Sequence, residues 1–214
     1  FNEKEVDEIV FLDISATLSG KGPNFELLKD IASEAFMPFG YGGGITNLEQ
    51  IQKLFYLGVE KCIINSAAYY NPQLIKAASS IAGAQSIVVS IDVKKTFLGK
   101  YEVYVKNGSV NTKMCPVEFA IRMQDLGAGE LIVCNIGNEG QGKGYDTKLL
   151  KMISSAVDIP VVASGGAGEL QHFSEAYHQG HVSSVAAGNM FVFYGKHKAV
   201  LITYPKYSDL ENLF

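Results

Sequence analysis

Short apolar segments and longer amphipathic segments alternate along the chain. The short segments are rich in β-branched residues, which is typical of strands. Seven of them are visible, at 8–14, 36–41, 61–65, 86–92, 130–136, 159–165 and 183–188. Six amphipathic segments between them predict helices, at 24–35, 47–58, 72–82, 115–127, 146–157 and 170–180. Because nearly continuous apolar strands alternate with helices, the pattern predicts a parallel sheet covered by helices.

One segment departs from this alternation. Residues 99–112 alternate apolar and polar positions with a period of two around Asn107-Gly108, a dipeptide typical of tight hairpin turns. The sequence therefore predicts a β-hairpin shortly after the fourth visible strand, on the face where loops carry function.

An internal repeat relates the two halves of the chain. Six pairs of similar residues are 122 positions apart: Glu8 and Glu130, Asp13 and Asn135, Pro38 and Pro160, Gly44 and Gly166, Gly58 and Gly180, and Ser66 and Gly188. The repeat favours a (β/α)8 TIM barrel built from two similar half-barrels over an open doubly wound sheet. A barrel needs eight strands, so we expect residues 1–214 to form a single barrel domain whose first βα unit precedes residue 1.

Composition narrows the class of protein. The chain has 214 residues, of which 47% are hydrophobic, enough for one domain with a sizeable core. The net charge is −4 without a basic run, which argues against nucleic acid as a partner. No apolar run reaches the roughly 18 residues of a membrane span, so we expect no membrane association.

The cysteines and histidines indicate neither a disulfide framework nor a metal site. Cys62, Cys115 and Cys134 lack the C-x-x-C spacing, and the four histidines show no ligand spacing. An odd and sparse cysteine count is typical of a reducing compartment, so we expect a cytoplasmic protein without a metal or cofactor.

Two glycine-rich turns follow the second and sixth visible strands, in GYGGGI (40–45) and ASGGAG (163–168). The next strand in each half ends in small or polar residues that open a helix, NSAA (65–68) and AAGN (186–189). At the C-terminal ends of barrel strands, backbone amides in such turns can hold phosphate. The pattern predicts two phosphate sites and a substrate with a phosphate at each end. Alternatively, the glycines serve only tight turns and close packing of helices on the sheet.

Two aspartates end predicted strands. Asp92 shares a strand face with Ser90, opposite the more apolar face that carries Ile91, so we expect it to point into the barrel mouth between the phosphate sites. A partly buried carboxylate there is suited to general acid–base catalysis; the alternative is a helix-capping or loop-tying residue. For Asp13, ligand binding and turn formation are equally open.

Three charged residues begin alternate strands: Glu8, Lys61 and Glu130. Alternate strands supply one layer of a barrel interior, and charges in such a layer are costly unless they are paired. We therefore expect either a paired charged layer at the N-terminal end of the barrel or a solvated rim.

Over nearly its whole length the chain resembles the HisF family, the cyclase subunit of imidazole glycerol phosphate synthase. The resemblance rests on the motifs DEIVFLDIS, YGGGI, INSAAYYNPQLI, VVSIDVKK, GAGEL, GKGYDT and ASGGAG. It implies a (β/α)8 barrel that binds a HisH-like glutaminase at its N-terminal face. It also implies that ammonia crosses the barrel to a bis-phosphate ribonucleotide, giving imidazole glycerol phosphate and AICAR in histidine biosynthesis.

The resemblance also assigns roles to residues of this chain. It implies that Asp92 is one of two catalytic aspartates, the other belonging to the first strand, and that Asp13 contacts substrate. The implied phosphate and substrate sites comprise Gly43, Gly44, Asn65 and Ser66 on one side and Gly140, Gln141, Ser164, Gly165, Gly166, Ala187 and Gly188 on the other. The implied ammonia gate comprises Glu8, Lys61 and Glu130.

The chain departs from the family pattern after the fifth visible strand. The family has SIDRDGT there, whereas this chain has NIGNEGQ at 135–141, which leaves the substrate open. The ending MFVFYGKHKAVLITYP resembles a paralogous branch linked to surface polysaccharide biosynthesis. This implies an alternative function, an ammonia conduit that supports a sugar amidotransferase. A third alternative is a one-substrate isomerase with the same superfold.

Overall fold

A computed structural model describes residues 1–195 and 198–214. All seven predicted strands are confirmed, because an observed strand lies within or overlaps each predicted segment. In chain order the strands are β1 (Ile9–Leu12), β2 (Phe39–Gly42), β3 (Lys61–Ile64), β4 (Ile87–Lys95), β5 (Tyr101–Val105), β6 (Val110–Asn111), β7 (Glu130–Asn135), β8 (Val161–Ser164), β9 (Ser184–Val185), β10 (Phe193–Tyr194) and β11 (Ala199–Val200).

The six predicted helices are also confirmed, and four short helices were not among them. In chain order the helices are α1 (Ala16–Ser19), α2 (Phe25–Glu34), α3 (Leu48–Tyr56), α4 (Ser66–Tyr70), α5 (Gln73–Ala82), α6 (Pro116–Asp125), α7 (Thr147–Ser154), α8 (Gln171–Gly180), α9 (Asn189–Val192) and α10 (Tyr207–Glu211). The side chains of Asn24, Asn47 and Asp146 accept amide hydrogens in the first turns of α2, α3 and α7, which fixes where these helices begin.

Seven parallel strands form one curled sheet in the order β1-β2-β3-β4-β7-β8-β9. Each of these strands therefore pairs with the next parallel strand along the chain. This order, with helices between the strands, is that of a (β/α)8 barrel, and the predicted fold class is confirmed. Among the described residues no strand pairing joins β9 to β1, so the ring is open between these two strands.

The two faces of the sheet pack differently, as the alternation along β4 shows. Ile87, Val89 and Ile91 belong to the main hydrophobic core, which the outer helices complete. Val88, one position out of phase, belongs instead to a small separate cluster with Ile63, Ile132 and Val162. This second cluster is the interior layer of the barrel. Asp92 is in phase with Val88, so it lies on the inner face, as predicted.

The predicted hairpin around Asn107-Gly108 is confirmed as the turn between β5 and β6. The structure adds that β4 extends to Lys95 and pairs antiparallel with β5, so that β4, β5 and β6 form one antiparallel extension of the sheet. The sequence did not predict the β4–β5 pairing. Lys94 and Lys95 are exposed, so this end of β4 lacks the apolar pattern of a barrel strand. The β10–β11 hairpin and α10, near the C-terminus, were not predicted either.

Candidate functional site

The two glycine turns lie at the same end of the sheet, directly after β2 and β8. We call residues 42–45 the first glycine turn and residues 164–168 the second glycine turn. In the first, Gly43 and Gly44 have φ angles of 140° and 64°. In the second, Gly165 and Gly166 have φ angles of 81° and 116°. L-amino acids rarely adopt such angles, so the backbone course of each turn requires glycine.

A neighbouring loop also packs against the innermost glycine of each turn. A Cβ atom on Gly44 would lie 2.8 Å from Gly22 Cα, and one on Gly166 would lie 2.2 Å from the Gly144 carbonyl oxygen. Gly22 and Gly144 are themselves 122 positions apart, so the repeat holds in the packing as well as in the sequence. Close approach of backbones therefore accounts for part of the need for glycine. Tight turns and close packing were the alternative to phosphate binding in the sequence analysis.

The amides of the equivalent residues Gly44 and Gly166 differ between the two halves. The Gly44 amide donates a hydrogen bond to Thr17 Oγ1 at 3.3 Å. The amides of Gly165 and Gly166 have no acceptor in the described part of the chain. Unpaired backbone amides in a left-handed turn are suited to binding an anion.

The side chains after β3 are linked to one another beside the first glycine turn. Asn65 Nδ2 donates to the Ser90 carbonyl oxygen at 3.0 Å, and Ser66 Oγ donates to Asn65 Oδ1 at 3.1 Å. Asp13, after β1, forms a turn of its own: Oδ1 accepts hydrogen bonds from the Ser15 amide and hydroxyl at 2.9 and 2.7 Å. The Ser15 hydroxyl is the main reason that the pKa of Asp13 is lowered. The structure thus gives Asp13 a turn-forming role, whatever else it contacts.

The other predicted residues gather around the second glycine turn. A Cβ atom on Gly140 would lie 3.1 Å from Asn189 Nδ2, so the loop that carries Gly140 and Gln141 adjoins the segment of Ala187 and Gly188. Gln141 is exposed. Nothing lies within 4 Å of a Cβ atom built on Gly188. Ser164 ends β8 opposite Cys134 of β7.

Asp92 lies between the two halves, near the C-terminal end of the parallel part of β4, with Cys134 of β7 directly opposite. Burial raises the pKa of Asp92 from 3.8 to about 6; the Asn65 side chain opposes this shift, and the charge of Glu139 adds to it. A carboxyl group with a pKa near 6 can gain and lose a proton close to neutral pH, which general acid–base catalysis requires.

Cys134 was not predicted as part of this site, and Glu139 was noted only within NIGNEGQ, where the chain departs from the family pattern. Cys134 Sγ lies 3.9 Å from Glu139 Oε2, and a Cβ atom on Gly165 would lie 3.1 Å from the same carboxylate oxygen. Burial raises the pKa of the Cys134 thiol to about 12, and the charges of Asp92 and Glu139 contribute. The thiol is therefore protonated at neutral pH and is not a nucleophile. The period of two in β7 places Cys134 on the same inner face as Ile132. This alternation was the sequence signal from which the position of Cys134 could have been predicted.

A second polar group, centred on Asp146, was also missed. Its carboxylate accepts hydrogen bonds from Tyr101 Oη at 2.9 Å and Asn135 Nδ2 at 2.7 Å. The same carboxylate caps α7 through the Leu149 amide at 3.1 Å. Asp146 thereby joins the start of β5 and the end of β7 to the start of α7. From the sequence, only its position at the start of a predicted helix was evident.

The structure brings the three charged residues at the opposite end of the barrel together. Lys61 Nζ lies 2.7 Å from Glu8 Oε2 and 2.9 Å from Glu130 Oε2. Burial lowers the pKa of Lys61, but its hydrogen bonds to the two carboxylates more than offset this, and the net shift is upward. The three groups form a paired charged layer rather than an unpaired solvated rim.

The described residues contain neither a metal-binding group of side chains nor a membrane-spanning helix. Within residues 1–195 and 198–214, no three His, Cys, Asp or Glu side chains are grouped so that they could hold a metal ion. Over the same ranges, no helix combines the length and apolar character needed to cross a membrane.

Comparison with known proteins matches residues 1–198 to the family model described as histidine biosynthesis protein. The chain is 46% identical to the "Putative imidazole glycerol phosphate synthase subunit hisF2" of Pseudomonas aeruginosa, over 99% of this chain and 84% of the relative. It is 44% identical to the "Putative imidazole glycerol phosphate synthase subunit HisF" of Leptospira interrogans, over 100% and 85%. It is also 44% identical to the "Imidazole glycerol phosphate synthase subunit HisF" of Hydrogenobaculum sp., over 90% and 77%.

Proposed function

The chain belongs to the HisF family of histidine biosynthesis proteins, and from this premise we propose that residues 1–214 act as one barrel domain of a synthase subunit. In this proposal the subunit uses ammonia from a glutaminase to convert a bis-phosphate ribonucleotide into imidazole glycerol phosphate and AICAR. All three cysteines are free thiols, which supports the proposal that the protein works in a reducing, cytoplasmic compartment.

The observation that carries the proposal is the position of Asp92 between the two glycine turns. All three lie at one end of the sheet, and the pKa of Asp92, about 6, suits proton transfer near neutral pH. In the proposed mechanism the glycine turns hold the two phosphates, so the reacting part of the substrate lies over Asp92. Asp92 then accepts and returns a proton while ammonia attacks and the ring closes.

The ion-paired layer of Glu8, Lys61 and Glu130 supports a partner at the N-terminal face. Between this layer and Asp92 the barrel interior is apolar, with Ile63, Val88, Ile132 and Val162 in contact. An apolar interior excludes the ammonium ion, because removing a charge from water is costly. Neutral ammonia carries no charge and enters such an interior at a much lower cost. We propose that Lys61 separates a docked glutaminase from this interior and gates ammonia entry.

The alternative is an ammonia conduit with little cyclase chemistry, which would support a sugar amidotransferase. One observation favours it: the Glu139 carboxylate lies beside Gly165, where a second phosphate would be bound. Like charges repel, and the repulsion is largest in a partly buried site. A conduit would not need this site to bind phosphate.

The test is turnover of the bis-phosphate ribonucleotide by the purified protein with an ammonium salt as nitrogen source. We expect Asp92→Asn to lower turnover by about 10²- to 10⁴-fold, the usual contribution of a general acid or base. Asp125→Asn, an exposed residue at the end of α6, is the matched control and should leave turnover unchanged.

Two other outcomes would contradict the proposal in different ways. If Asp92→Asn retains full turnover, another residue is the base. If the unmodified protein binds the substrate but does not turn it over, the conduit alternative is favoured.

A further inference from the structure

The turn between β5 and β6 contacts the segments that follow β1 and β3, which flank the first glycine turn. The Lys106 amide donates to Ser66 Oγ at 2.9 Å. On the other side, Asn107 Nδ2 donates to the Ile14 carbonyl oxygen. Ile14 follows Asp13, whose carbonyl oxygen would lie 2.6 Å from a Cβ atom on Gly43. The turn therefore bridges the segment after β1 and the segment after β3.

The same turn also contacts the loop after β7 and is internally ordered. A Cβ atom on Gly108 would lie 2.6 Å from Ile136 Cδ1. The Ser109 amide donates to the Lys106 carbonyl oxygen at 3.1 Å, and the Ser109 hydroxyl donates to the same oxygen at 2.6 Å. Contacts with three barrel loops thus place this turn across part of the mouth.

The predicted first phosphate site contains no positive charge and adjoins a negative one. Its members Gly43, Gly44, Asn65 and Ser66 are uncharged, and the Cβ atom of Asp13 would lie 2.8 Å from a Cβ atom on Gly43. A phosphate bound beside a carboxylate needs a cation close by, since like charges at this distance are unfavourable even near the surface.

Two lysines adjoin the site, and Lys106 is the better placed. Its backbone is already bonded to Ser66, and Lys106 Nζ lies 5.5 Å from the centroid of the Tyr70 ring on α4, the helix that Ser66 opens. An exposed lysine side chain can turn from an aromatic ring to an anion at little cost. Lys21 precedes Gly22, whose Cα packs against Gly44.

We propose that residues 106–109 form the outer wall of the first phosphate site and that Lys106 supplies its positive charge. Lys106 is then a specificity-determining residue that selects an anionic group at this end of the substrate. The inference rests on the proposed function, because it takes the first glycine turn as a phosphate site.

The test follows the backbone amide signals of Ser66 and Gly166 by NMR while inorganic phosphate is added to the full chain. Lys106→Asn removes the charge but keeps a residue that tolerates the left-handed backbone, φ 52°. We expect it to weaken phosphate binding, measured at Ser66, by about fivefold to tenfold. Binding measured at Gly166 should not change, which gives an internal reference.

The matched control is Lys113→Asn, because Lys113 is exposed and has nearly the same backbone conformation, φ 59°. It should leave both signals unchanged, and Lys106→Arg should keep the affinity of the unmodified protein. Equal loss in Lys113→Asn, or no loss in Lys106→Asn, overturns the assignment to Lys106.

A further variant separates this inference from the proposed function. Ser66→Asp places a second carboxylate in the first site and should abolish the phosphate response there. If Ser66→Asp abolishes binding but Lys106→Asn does not weaken it, the phosphate site stands and the role of Lys106 falls. If binding at the site survives Ser66→Asp, the first phosphate site is wrong and both proposals fall.

Discussion

Asp92 and Cys134 lie directly opposite each other on the adjacent strands β4 and β7. Burial is the largest cause of the upward pKa shift of each side chain, to about 6 and to about 12. The barrel interior therefore holds two acidic groups at one level, of which only Asp92 titrates near neutral pH. A carboxylate that is costly to ionise in the folded state should also lower the stability of the protein.

Replacing Asp92 by asparagine should stabilise the protein at neutral pH. Its folded pKa of about 6 lies above its ordinary value of 3.8, so the folded state binds the proton more tightly than the unfolded state. The stability from that proton is present below about pH 4 and is lost as the pH rises through about 6. Asparagine does not ionise, so we expect Asp92→Asn to be more stable by about 1–3 kcal/mol at pH 7.5.

Urea unfolding at pH 7.5 and pH 4 measures this difference, which should nearly vanish at pH 4. Asp13→Asn is the control of opposite sign, because the pKa of Asp13 is lowered by the Ser15 hydroxyl. This variant should not gain stability at pH 7.5. If the Asp92→Asn protein is no more stable than the unmodified one at pH 7.5, burial does not destabilise the ionised form of Asp92.

Glu139 should contribute to the raised pKa values of both groups. Its negative charge raises the pKa of Asp92 and of Cys134, so Glu139→Gln should lower both pKa values. Carbon-13 NMR of the Asp92 carboxyl group, followed against pH, measures the first. Glu169→Gln is the matched control, since Glu169 lies beside His172 instead. A pKa of Asp92 that responds equally to both variants, or to neither, contradicts the arrangement.

The glycines of the second half should respond very differently to alanine. In Gly166→Ala the new Cβ atom would lie 2.2 Å from the Gly144 carbonyl oxygen, on a backbone with φ 116°. We expect a loss of at least about 2–3 kcal/mol in the free energy of unfolding. In Gly188→Ala the Cβ atom has open space, so stability should change by less than about 0.5 kcal/mol.

Thermal or urea unfolding of these two variants tests the close packing of the second glycine turn against the loop that carries Gly144. A Gly166→Ala protein as stable as the Gly188→Ala protein would show that the loop with Gly144 is not in contact with the second glycine turn. Because we expect Gly188→Ala to keep the fold, it is also the variant in which phosphate binding at the second glycine turn can be measured.

The fold could be predicted because its signals are local and repeat. Strands and helices differ in the period of their apolar positions, and the 122-residue repeat distinguished a barrel from an open sheet. The period of two also gave the faces of β4, and hence the inner position of Asp92. Glu8, Lys61 and Glu130 could be grouped because each begins a strand of one alternating set.

Contacts made by loops could not be predicted in the same way. The Asp146 group joins residues that are far apart in sequence, and no period relates Tyr101 to Asn135. Similarly, nothing local indicates that Glu139 turns toward Gly165 or that the Lys106 amide meets Ser66. The sequence placed these residues on the correct end of the barrel, but their partners depend on how each loop crosses the mouth.

Removing the lysine from the charged layer should destabilise the protein. Lys61→Met leaves the carboxylates of Glu8 and Glu130, which are 31% and 17% exposed, without their shared cation. We expect a loss of about 1–3 kcal/mol in the free energy of unfolding, because part-buried charges are left unpaired. Urea unfolding measures it, and adding Glu130→Gln should recover part of the loss.

Lys113→Met, at an exposed position, is the control and should have little effect. If Lys61→Met is as stable as this control, the ion pairs contribute nothing to the fold. The role of Lys61 in gating is tested separately, by whether a bound glutaminase still couples glutamine hydrolysis to product formation.

The central claim is that the two glycine turns bind the two ends of one substrate. The most direct test is an NMR titration of the full chain with the bis-phosphate ribonucleotide, following the amides of Gly44 and Gly166. The account predicts that both signals shift together, with one dissociation constant and one ligand per chain. A shift at only one turn, at neither, or at the two turns with different dissociation constants would contradict it.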